Sequence, residues 1–333
     1  MKEKDVYMNM KDLKILFLAK FSPKNGTNYP LSTEENDGIY AQYHFDIYKI
    51  LKSIFPNTVC ANSPDILINQ PKKFDYVFSL LNRAPYKNSE IFISALLEYQ
   101  KTPYLGTTPN IRALAEDKHL AKIVASYSGL HTPNWITVDA NGTIPSCEPF
   151  DGPYFIKPRF GASSAFIDEN SIAYDWQHAK IQIQILQRNN LDVIIEEFVN
   201  GTYYSLPVYF SEDTPIFLPA VKEESNLKGN VVTYRQKRKL DQGLNRVVNK
   251  NDDLTFKLNE LSSKFFQMIS PLDYTRIDYI VTKNAIEFIE FNICCNLGKQ
   301  SSFCVSANSV GLTQYDLVKQ ILINSLKRQK VII

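Results

Sequence analysis

The chain has 333 residues, of which 44% are hydrophobic and 22% are charged, and its formal net charge is +2. Because 37 basic residues nearly balance 35 acidic ones, bulk charge does not favour a nucleic acid or an anionic membrane surface as a partner. The length predicts two or three packed domains rather than one core.

The cysteine content bounds the class of protein further. Five cysteines are present, an odd number, and no two of them form a CxxC pair, so neither a disulfide framework nor a zinc site is indicated. Reduced thiols fit the cytoplasm best. The longest apolar run near the start, residues 15–19, is too short for a membrane span or for the apolar part of a signal peptide. We therefore expect a cytoplasmic protein with no membrane partner.

Strand and helix patterns alternate in the first third of the chain, which favours a parallel α/β domain. Apolar strands are predicted over residues 14–19, 76–81 and 103–106, and helices over residues 38–55 and 90–99. Further on, the pattern predicts helices over 116–128, 175–188 and 313–325, and one around 254–265. Strands are predicted over 154–157, 193–198, 274–281 and 285–292, and the polar, basic segment 222–248 is expected to become ordered around a bound nucleotide.

The last two predicted strands carry charged side chains that face each other. Side chains alternate between the faces of a strand, so Arg276 shares a face with Asp278, and Glu290 shares one with Asn292. Carboxylate and amide oxygens suit Mg²⁺ that is held jointly with substrate phosphates. Neighbouring carboxylates repel each other unless a cation or a shared proton lies between them. A solvated strand face held by salt bridges is the alternative interpretation.

Three further segments carry chemistry that nucleotide binding uses. Lys157 leaves a strand and is followed by the small residues 161–165, whose backbone N–H groups can approach phosphate oxygens closely. Lys118 and Lys122 share a helix face, and the strand 193–198 ends in Glu196 and Glu197, where backbone groups can meet an adenine edge. A surface turn, a solvated helix face and an ordinary strand end are the alternatives, and the Walker A pattern is absent.

The order of these motifs resembles the ATP-grasp superfamily and, within it, D-alanine–D-alanine ligases. The resemblance runs from about residue 74 to the end. It implies an α/β (α+β) ATP-grasp fold, in which an N-terminal parallel α/β domain at residues 1–114 precedes two α+β subdomains, at 115–192 and 193–333, that clasp ATP. The motifs that carry it are Asp117-Lys118, Ile156-Lys157-Pro158 with Ser163-Ser164, Glu196-Glu197-Phe198, Arg276-Ile277-Asp278 and Glu290-Phe291-Asn292.

The resemblance also implies an activity and roles for individual residues. It implies an ADP-forming carboxylate–amine ligase with an acyl-phosphate intermediate, two Mg²⁺ ions (or Mn²⁺), small amino-acid or carboxylate substrates and a homodimer. The residues expected to bind ATP are Lys118, Lys157, Ser163, Ser164, Glu196, Glu197, Phe198, Val199 and Tyr203. Those expected to hold metal are Asp278, Glu290 and Asn292; those expected to act in catalysis are Arg276, Lys237, Tyr234 and Ser163; those expected to contact substrates are Ser301, Ser302, Arg83 and Glu35.

The chain departs from the family pattern mainly where substrates bind. We therefore expect an amino-acid or peptide ligase whose substrates are not two D-alanines. A cell-wall D-alanine–D-alanine ligase, a ligase acting on a larger or carrier-bound partner, and a nucleotide-binding protein without catalysis are the alternatives. The departures are Phe166 in the serine loop, Tyr203 in place of the ribose-binding acid, Asn82-Arg83 in place of His-Gly, Cys295-Asn296 in place of Pro-Gly, and an N-terminal glutamate matched only by the candidates Glu34 and Glu35.

Overall fold

Three β-sheets follow one another along the chain. The computed structural model describes residues 10–23, 39–81, 89–161, 164–227, 229, 232–237 and 241–333. Within these ranges the strands form a three-stranded, a four-stranded and a six-stranded sheet. The mixed α/β architecture is the one predicted from the sequence.

The first sheet is parallel, with strand order β2-β1-β3. Every residue of the first and third strands is buried, as expected for parallel strands that are covered on both faces. The alternating pattern in the first third of the chain is therefore confirmed. The elements are β1 (Ile15–Leu18), α1 (Tyr40–Ile54), β2 (Val59–Ala61), α2 (Asp65–Asn69), β3 (Tyr76–Ser79) and α3 (Ser89–Gln100).

The helix predicted over 116–128 is present as α5 (Lys118–Tyr127), and a helix that was not predicted, α4 (Pro109–Glu116), ends just before it at Asp117. Asp117 has extended backbone angles, and its side chain accepts hydrogen bonds from the backbone N–H groups of His119 and Leu120. A capping carboxylate satisfies the N–H groups that a helix start leaves without partners. The cap therefore separates α5 from α4 and sets the first residue of the predicted helix.

The second sheet is antiparallel, with strand order β4-β7-β5-β6, and α6 packs on it. Its elements are β4 (Trp135–Val138), β5 (Tyr154–Pro158), β6 (Ile172–Ala173), α6 (Trp176–Arg188) and β7 (Val193–Glu197). Since β7 pairs with β4 and β5, we propose that the central subdomain ends after β7 rather than at residue 192.

The third sheet has strand order β11-β10-β8-β12-β13, with β9 paired to β8. The predicted pairing of strands 274–281 and 285–292 is confirmed, because β12 and β13 form an antiparallel ladder. The elements are β8 (Thr202–Ser211), β9 (Thr214–Phe217), β10 (Val221–Ser225), α7 (Tyr234–Lys237), β11 (Leu244–Val248), α8 (Asp252–Ile269), β12 (Tyr274–Val281), β13 (Ile286–Asn292), α9 (Ser302–Ser309) and α10 (Gln314–Arg328).

Two predicted segments have a different structure. Residues 103–106 make only an isolated bridge to β3, and the side chain of Gln329 pairs with both backbone polar groups of Tyr104 on the edge where a further strand would lie. The ends of the segment 222–248 form the β10–β11 ladder, so only the connection between these strands remains to order around a nucleotide.

The apolar side of the β12–β13 pair packs against α8. Phe265 lies with its ring centroid 5.3 Å from that of Phe288 and 5.1 Å from that of Phe291. Ile277 and Tyr279 of β12 join the same buried cluster. Burial of this side directs the polar side chains of both strands away from the core. In the described part of the chain, no helix combines the length and the apolar character that a membrane crossing requires.

Candidate active site

The polar side of β12 and β13 carries the acidic pair that the sequence analysis singled out. Asp278 stands directly opposite Glu290 in the ladder, and Arg276 stands opposite Asn292. Arg276 forms a bidentate ion pair with the Asp278 carboxylate, with Nε 2.7 Å from Oδ1 and Nη2 2.6 Å from Oδ2. Asn292 Nδ2 donates to Asp278 Oδ2 at 3.0 Å. The salt bridge given as the alternative interpretation is therefore present, and it holds Asp278.

Glu290 has a different environment from Asp278. Burial alone would raise its pKa, but Lys118, Lys157 and Lys237 hold the pKa of Glu290 well below its ordinary value. Burial raises the pKa of Asp278 although Arg276 opposes that effect. The acidic pair is thus divided into one carboxylate neutralised by arginine and one that faces three lysines across open space.

A buried glutamate, Glu196, holds Lys157 and a further lysine, Lys122. Lys157 Nζ lies 2.7 Å from Glu196 Oε2, and Lys122 Nζ lies 3.0 Å from Oε1. Lys122 is completely buried and also donates to Thr132 Oγ1 at 2.6 Å. Burial would raise the pKa of Glu196, but the two ammonium groups outweigh it and hold this pKa below its ordinary value. Glu196 therefore serves as a buried anchor for lysines, whereas the sequence analysis had associated its segment with an adenine edge.

The start of α5 brings Lys118 to the same pocket. Asp117 accepts from Arg159 Nε at 2.9 Å and from Nη2 at 2.7 Å, which ties the helix start to the segment that follows β5. Lys118 Nζ donates to the carbonyl oxygen of Gly161 in that segment. Burial lowers the pKa of Lys118, and the negative charge of Glu290 opposes this effect.

A single pocket joins these groups. Residues of the four-stranded sheet, the six-stranded sheet and the start of α5 all contribute to its lining. Of the residues predicted to bind ATP, those that line it are Lys118, Lys157, Ser164, Glu196, Glu197, Phe198, Val199 and Tyr203. The predicted catalytic residue Lys237 and the predicted metal ligand Glu290 line it as well.

The pocket combines one charged region with one apolar region. Phe155, Phe160, Ile167 and Ile289 add apolar surface to its lining. Phe155 and Phe198 have ring centroids 6.4 Å apart. A flat aromatic ligand carrying an anionic group would match this division, since apolar walls bury a ring and ammonium groups offset negative charge.

Two residues of this site were not predicted from the sequence. Ser205 of β8 donates to Asp278 Oδ1 at 2.9 Å and lies 3.2 Å from Glu223 Oε1. Glu223 of β10 lines the pocket and pairs with Arg246 Nε at 3.1 Å. Both strands lie between residues 198 and 254, where no strand or helix was predicted. Alternation between strand faces therefore could not indicate Ser205 or Glu223. Recognising 202–211 as a strand would have placed Ser205 on a definite face.

The remaining predicted residues are distributed differently. Ser301 is the N-cap of α9, where its Oγ accepts from the backbone N–H of Cys304 at 3.2 Å, and Ser302 is buried at the first helical position. Neither serine lines the pocket that contains the lysines. Ser163, Arg83 and Glu35 lie outside the described residues, as do the candidate Glu34 and the side chain of Tyr234.

The predicted metal ligands offer hard oxygen donors. No group of three or more His, Cys, Asp or Glu side chains is placed to hold a metal ion within the described ranges. The predicted set, however, has two carboxylates and an amide, and Asn292 Nδ2 donates a long hydrogen bond, 3.4 Å, to Glu290 Oε1. Oxygen donors that share a site with ammonium groups suit Mg²⁺ bound jointly with phosphate oxygens. The donor set therefore fits such an ion.

Comparison with known proteins finds a matching family model and similar sequences. A family model described as the D-ala D-ala ligase C-terminus matches residues 118–323. D-alanine–D-alanine ligase B of Clostridium perfringens is 26% identical over 302 residues, which cover 90% of this chain and 94% of that protein. A D-alanine–D-alanine ligase of Clostridium botulinum is 23% identical over 267 residues, which cover 79% of this chain and 85% of that protein.

A solved structure has the same fold. The crystal structure of D-alanine–D-alanine ligase from Bacillus anthracis, complexed with ATP, superposes with a TM-score of 0.71 at 18% sequence identity. The superposition covers 96% of this chain and 99% of that one. The sequence expectation of an ATP-grasp fold is thereby confirmed.

Proposed function

The chain belongs to the D-alanine–D-alanine ligase family, and we propose that it is an ATP-dependent ligase that joins a carboxylate to an amine through an acyl phosphate, releasing ADP. The observation that carries the proposal is the pocket in which Glu290 faces Lys118, Lys157 and Lys237. A site that transfers a phosphoryl group needs cations at the phosphates and a carboxylate that holds Mg²⁺, and this pocket offers both.

ATP would occupy this pocket in a definite direction. Lys118 and Lys157 would neutralise phosphate oxygens, and the Ser163-Ser164 segment would donate to them. The adenine ring would lie against the aromatic and aliphatic surface, with the backbone of Glu197–Val199 at its polar edge. Burial raises the pKa of Tyr203 well above its ordinary value, so its phenol stays protonated and would donate a hydrogen bond to the ribose.

Asp278, Glu290 and Asn292 would hold two Mg²⁺ ions, or Mn²⁺, beside the phosphates. Bound there, the metal ions would offset the charge that develops on the transferring phosphoryl group. Arg276 already uses Nε and Nη2 on Asp278, so its Nη1 would be the donor that steadies the oxyanion formed when the amine attacks. The ion pair keeps this guanidinium in a fixed orientation.

The chemistry explains why the site needs a closing segment. A carboxylate is a poor electrophile because its oxygen is a poor leaving group. Phosphorylation makes that oxygen part of a phosphate, which is a good leaving group. The resulting acyl phosphate must be protected from water. We propose that Tyr234 and Lys237 close over the phosphates, and that Ser301 and Ser302 contact the carboxylate of the second substrate.

The biological setting is also a proposal. Small amino acids or carboxylates would be the substrates, and the D-alanine–D-alanine ligases among the relatives support that class. The five cysteines form no disulfide, and reduced thiols together with the proposed use of ATP favour the cytoplasm. A homodimer is proposed from the family resemblance alone.

A screen for ADP release tests the proposed function. Purified protein, Mg²⁺ and ATP are incubated with pairs drawn from amino acids and small carboxylic acids, and ADP, AMP, phosphate and pyrophosphate are all quantified. At least one pair is expected to raise the release of ADP and phosphate and to yield a new amide. Formation of AMP and pyrophosphate would contradict the acyl-phosphate route.

A further inference from the structure

A charged pair crosses the β10–β11 ladder beside the nucleotide pocket. Glu223 stands directly opposite Arg246 in the register, and Arg246 Nε lies 3.1 Å from Glu223 Oε1. The side chain of Glu223 is 3% exposed and that of Arg246 is 14% exposed. A buried ion pair contributes little net stability compared with apolar residues of similar volume, so stability is a weak explanation for its presence.

The glutamate side of this pair reaches the catalytic carboxylates. Glu223 Oε1 also lies 3.2 Å from Ser205 Oγ, whose single hydroxyl hydrogen has a shorter path, 2.9 Å, to Asp278 Oδ1. Arg246, Arg276 and Lys237 together hold the pKa of Glu223 below its ordinary value, although its burial would raise it. The carboxylate therefore stays charged next to the proposed metal site.

The arginine side of the pair reaches a different element. Arg246 Nη1 donates to the backbone carbonyl oxygen of Gln300 at 2.9 Å. Gln300 is the second-last residue of the segment 293–301, which we call the acceptor loop because it leads from Asn292 to the proposed substrate contacts at the start of α9. The same loop is held to other parts of the chain at Leu297, whose N–H donates to Tyr43 Oη and whose carbonyl accepts from Gln314 Nε2.

We propose that Arg246 is a positioning residue, which fixes the end of the acceptor loop relative to the phosphate-binding pocket by joining Gln300 to Glu223. The proposal deepens the proposed function and rests on it for the identity of the second substrate. A guanidinium that donates to a carboxylate and to a carbonyl makes two charge-assisted hydrogen bonds in one plane. It thereby couples the six-stranded sheet to the loop that precedes Ser301.

The predicted consequence is selective for one substrate. The amine must lie close to the acyl carbon, and a displacement of about 1 Å in such a geometry costs on the order of 100-fold in rate. ATP contacts the lysines and the adenine region, which Arg246 does not touch. Loss of Arg246 should therefore weaken use of the acceptor much more than use of ATP.

The experiment compares wild type with Arg246→Gln, Arg246→Lys and the double variant Arg246→Gln/Glu223→Gln, which removes both charges of the pair. Lys222→Gln is the matched control, because Lys222 directly precedes Glu223 on β10, stands opposite Val247, and pairs with the exposed Glu224. KM and kcat are measured for ATP and for the acceptor with a pair found by the ADP screen. Hydrogen–deuterium exchange is followed at the amides of Lys299 and Ser301.

In Arg246→Gln we expect the acceptor KM to rise about tenfold or more while the KM for ATP stays within about twofold. Amide exchange at Lys299 and Ser301 should become about tenfold faster, whereas amide exchange in β13 should stay unchanged. The double variant should show the same changes as Arg246→Gln. Arg246→Lys should show a smaller rise in the acceptor KM than Arg246→Gln. Lys222→Gln should match wild type.

Unchanged exchange in a folded Arg246→Gln protein, or equal rises in both KM values, would overturn the positioning role. Exchange is measured without substrates, so it tests the link between Arg246 and Gln300 even if the proposed function fails. Failure of the proposed function has its own signature, since wild-type protein would then turn over no acid–amine pair.

Discussion

Asp278 and Glu290 stand directly opposite each other on β12 and β13, and of the two carboxylates it is Asp278 that forms the ion pair with Arg276. The lysines that hold the pKa of Glu290 low come from α5, β5 and α7 instead. A carboxylate kept ionised in this way, with phosphate-binding cations around it, is the group on which the proposed metal chemistry depends. Its removal is therefore the most informative single substitution in the acidic pair.

Glu290→Gln is expected to lower kcat by about a thousandfold or more, because the amide loses both the charge and the bidentate binding of the carboxylate. The protein should stay folded but lose some thermal stability, because the lowered pKa of Glu290 means that attraction to the lysines outweighs repulsion by Asp278. Steady-state kinetics and thermal unfolding check the two parts. Glu287→Gln is the control on the same strand, where the carboxylate pairs with the exposed His131. Near-normal activity of Glu290→Gln would mean that the strand pair is only a salt-bridged face.

Asp117→Ala is expected to lower the free energy of unfolding by roughly 1 kcal/mol through loss of the helix cap alone, with more lost through the pair with Arg159. Asp117→Asn keeps a capping oxygen and removes the charge. Denaturant unfolding of both variants and wild type measures the two effects. A melting curve for Asp117→Ala that overlays the wild-type curve would show that α5 does not need the cap.

The same carboxylate predicts a pH dependence. Arg159 and the N–H groups of α5 hold the pKa of Asp117 below its ordinary value, although burial opposes them. A depressed folded-state pKa gives stability that is fully present above the unfolded-state value, about 3.9, and is lost as the pH falls through the folded-state value. The stability difference between wild type and Asp117→Asn should therefore be constant at neutral pH and shrink below about pH 4. A difference that grows on acidification would contradict the assignment.

The connection between β10 and β11 is expected to gain protection from trypsin when a non-hydrolysable ATP analogue and Mg²⁺ are present. Lys237 lines the pocket, and phosphate charge would offset the entropy that is lost when its segment is fixed. Cleavage after Arg235 and Lys237 should slow by about threefold or more. Cleavage after Lys283, in the exposed turn between β12 and β13, is the internal control and should not change. Equal rates at Arg235 with and without the analogue would count against closure.

The sequence predicted the acidic strand pair well because it depends on local alternation, which needs only the right strand and a short turn. It predicted the lysines by their place in the order of motifs. It missed the role of Glu196 as an anchor for Lys122 and Lys157, since that contact joins α5 to two strands of a sheet. Ser205, Glu223 and Arg246 were missed for the same reason, because cross-strand register is a tertiary property.

Helix boundaries show the same limit. α5 was predicted to within two residues, but α4 was missed, and the start of α5 is set by the capping contacts of Asp117 and by its pair with Arg159. Residues 103–106 have the composition of a strand, but the side chain of Gln329 takes the place of a further strand neighbour.

D-alanine with D-alanine is expected not to be the best substrate pair. Cys295 is buried and its Sγ donates to the carbonyl of Asn292 at 2.9 Å, and Cys295-Asn296 stand in the acceptor loop where the family resemblance implies Pro-Gly. Discrimination is strong where buried polar groups would go unpaired with the wrong substrate. Measuring kcat/KM for D-alanine against a panel of amino acids and carboxylic acids tests this. D-alanine leading in both positions by about tenfold or more would favour a cell-wall ligase.

Isotope transfer tests the central claim most directly. The acid substrate found by the ADP screen is labelled with ¹⁸O in its carboxylate, and the phosphate released during turnover is analysed by mass spectrometry. When the amine attacks the acyl phosphate, the bond between carbon and the bridging oxygen breaks, and the departing phosphate keeps that former carboxylate oxygen, so each phosphate should carry one ¹⁸O atom. Unlabelled phosphate, or label found in AMP, would contradict the account.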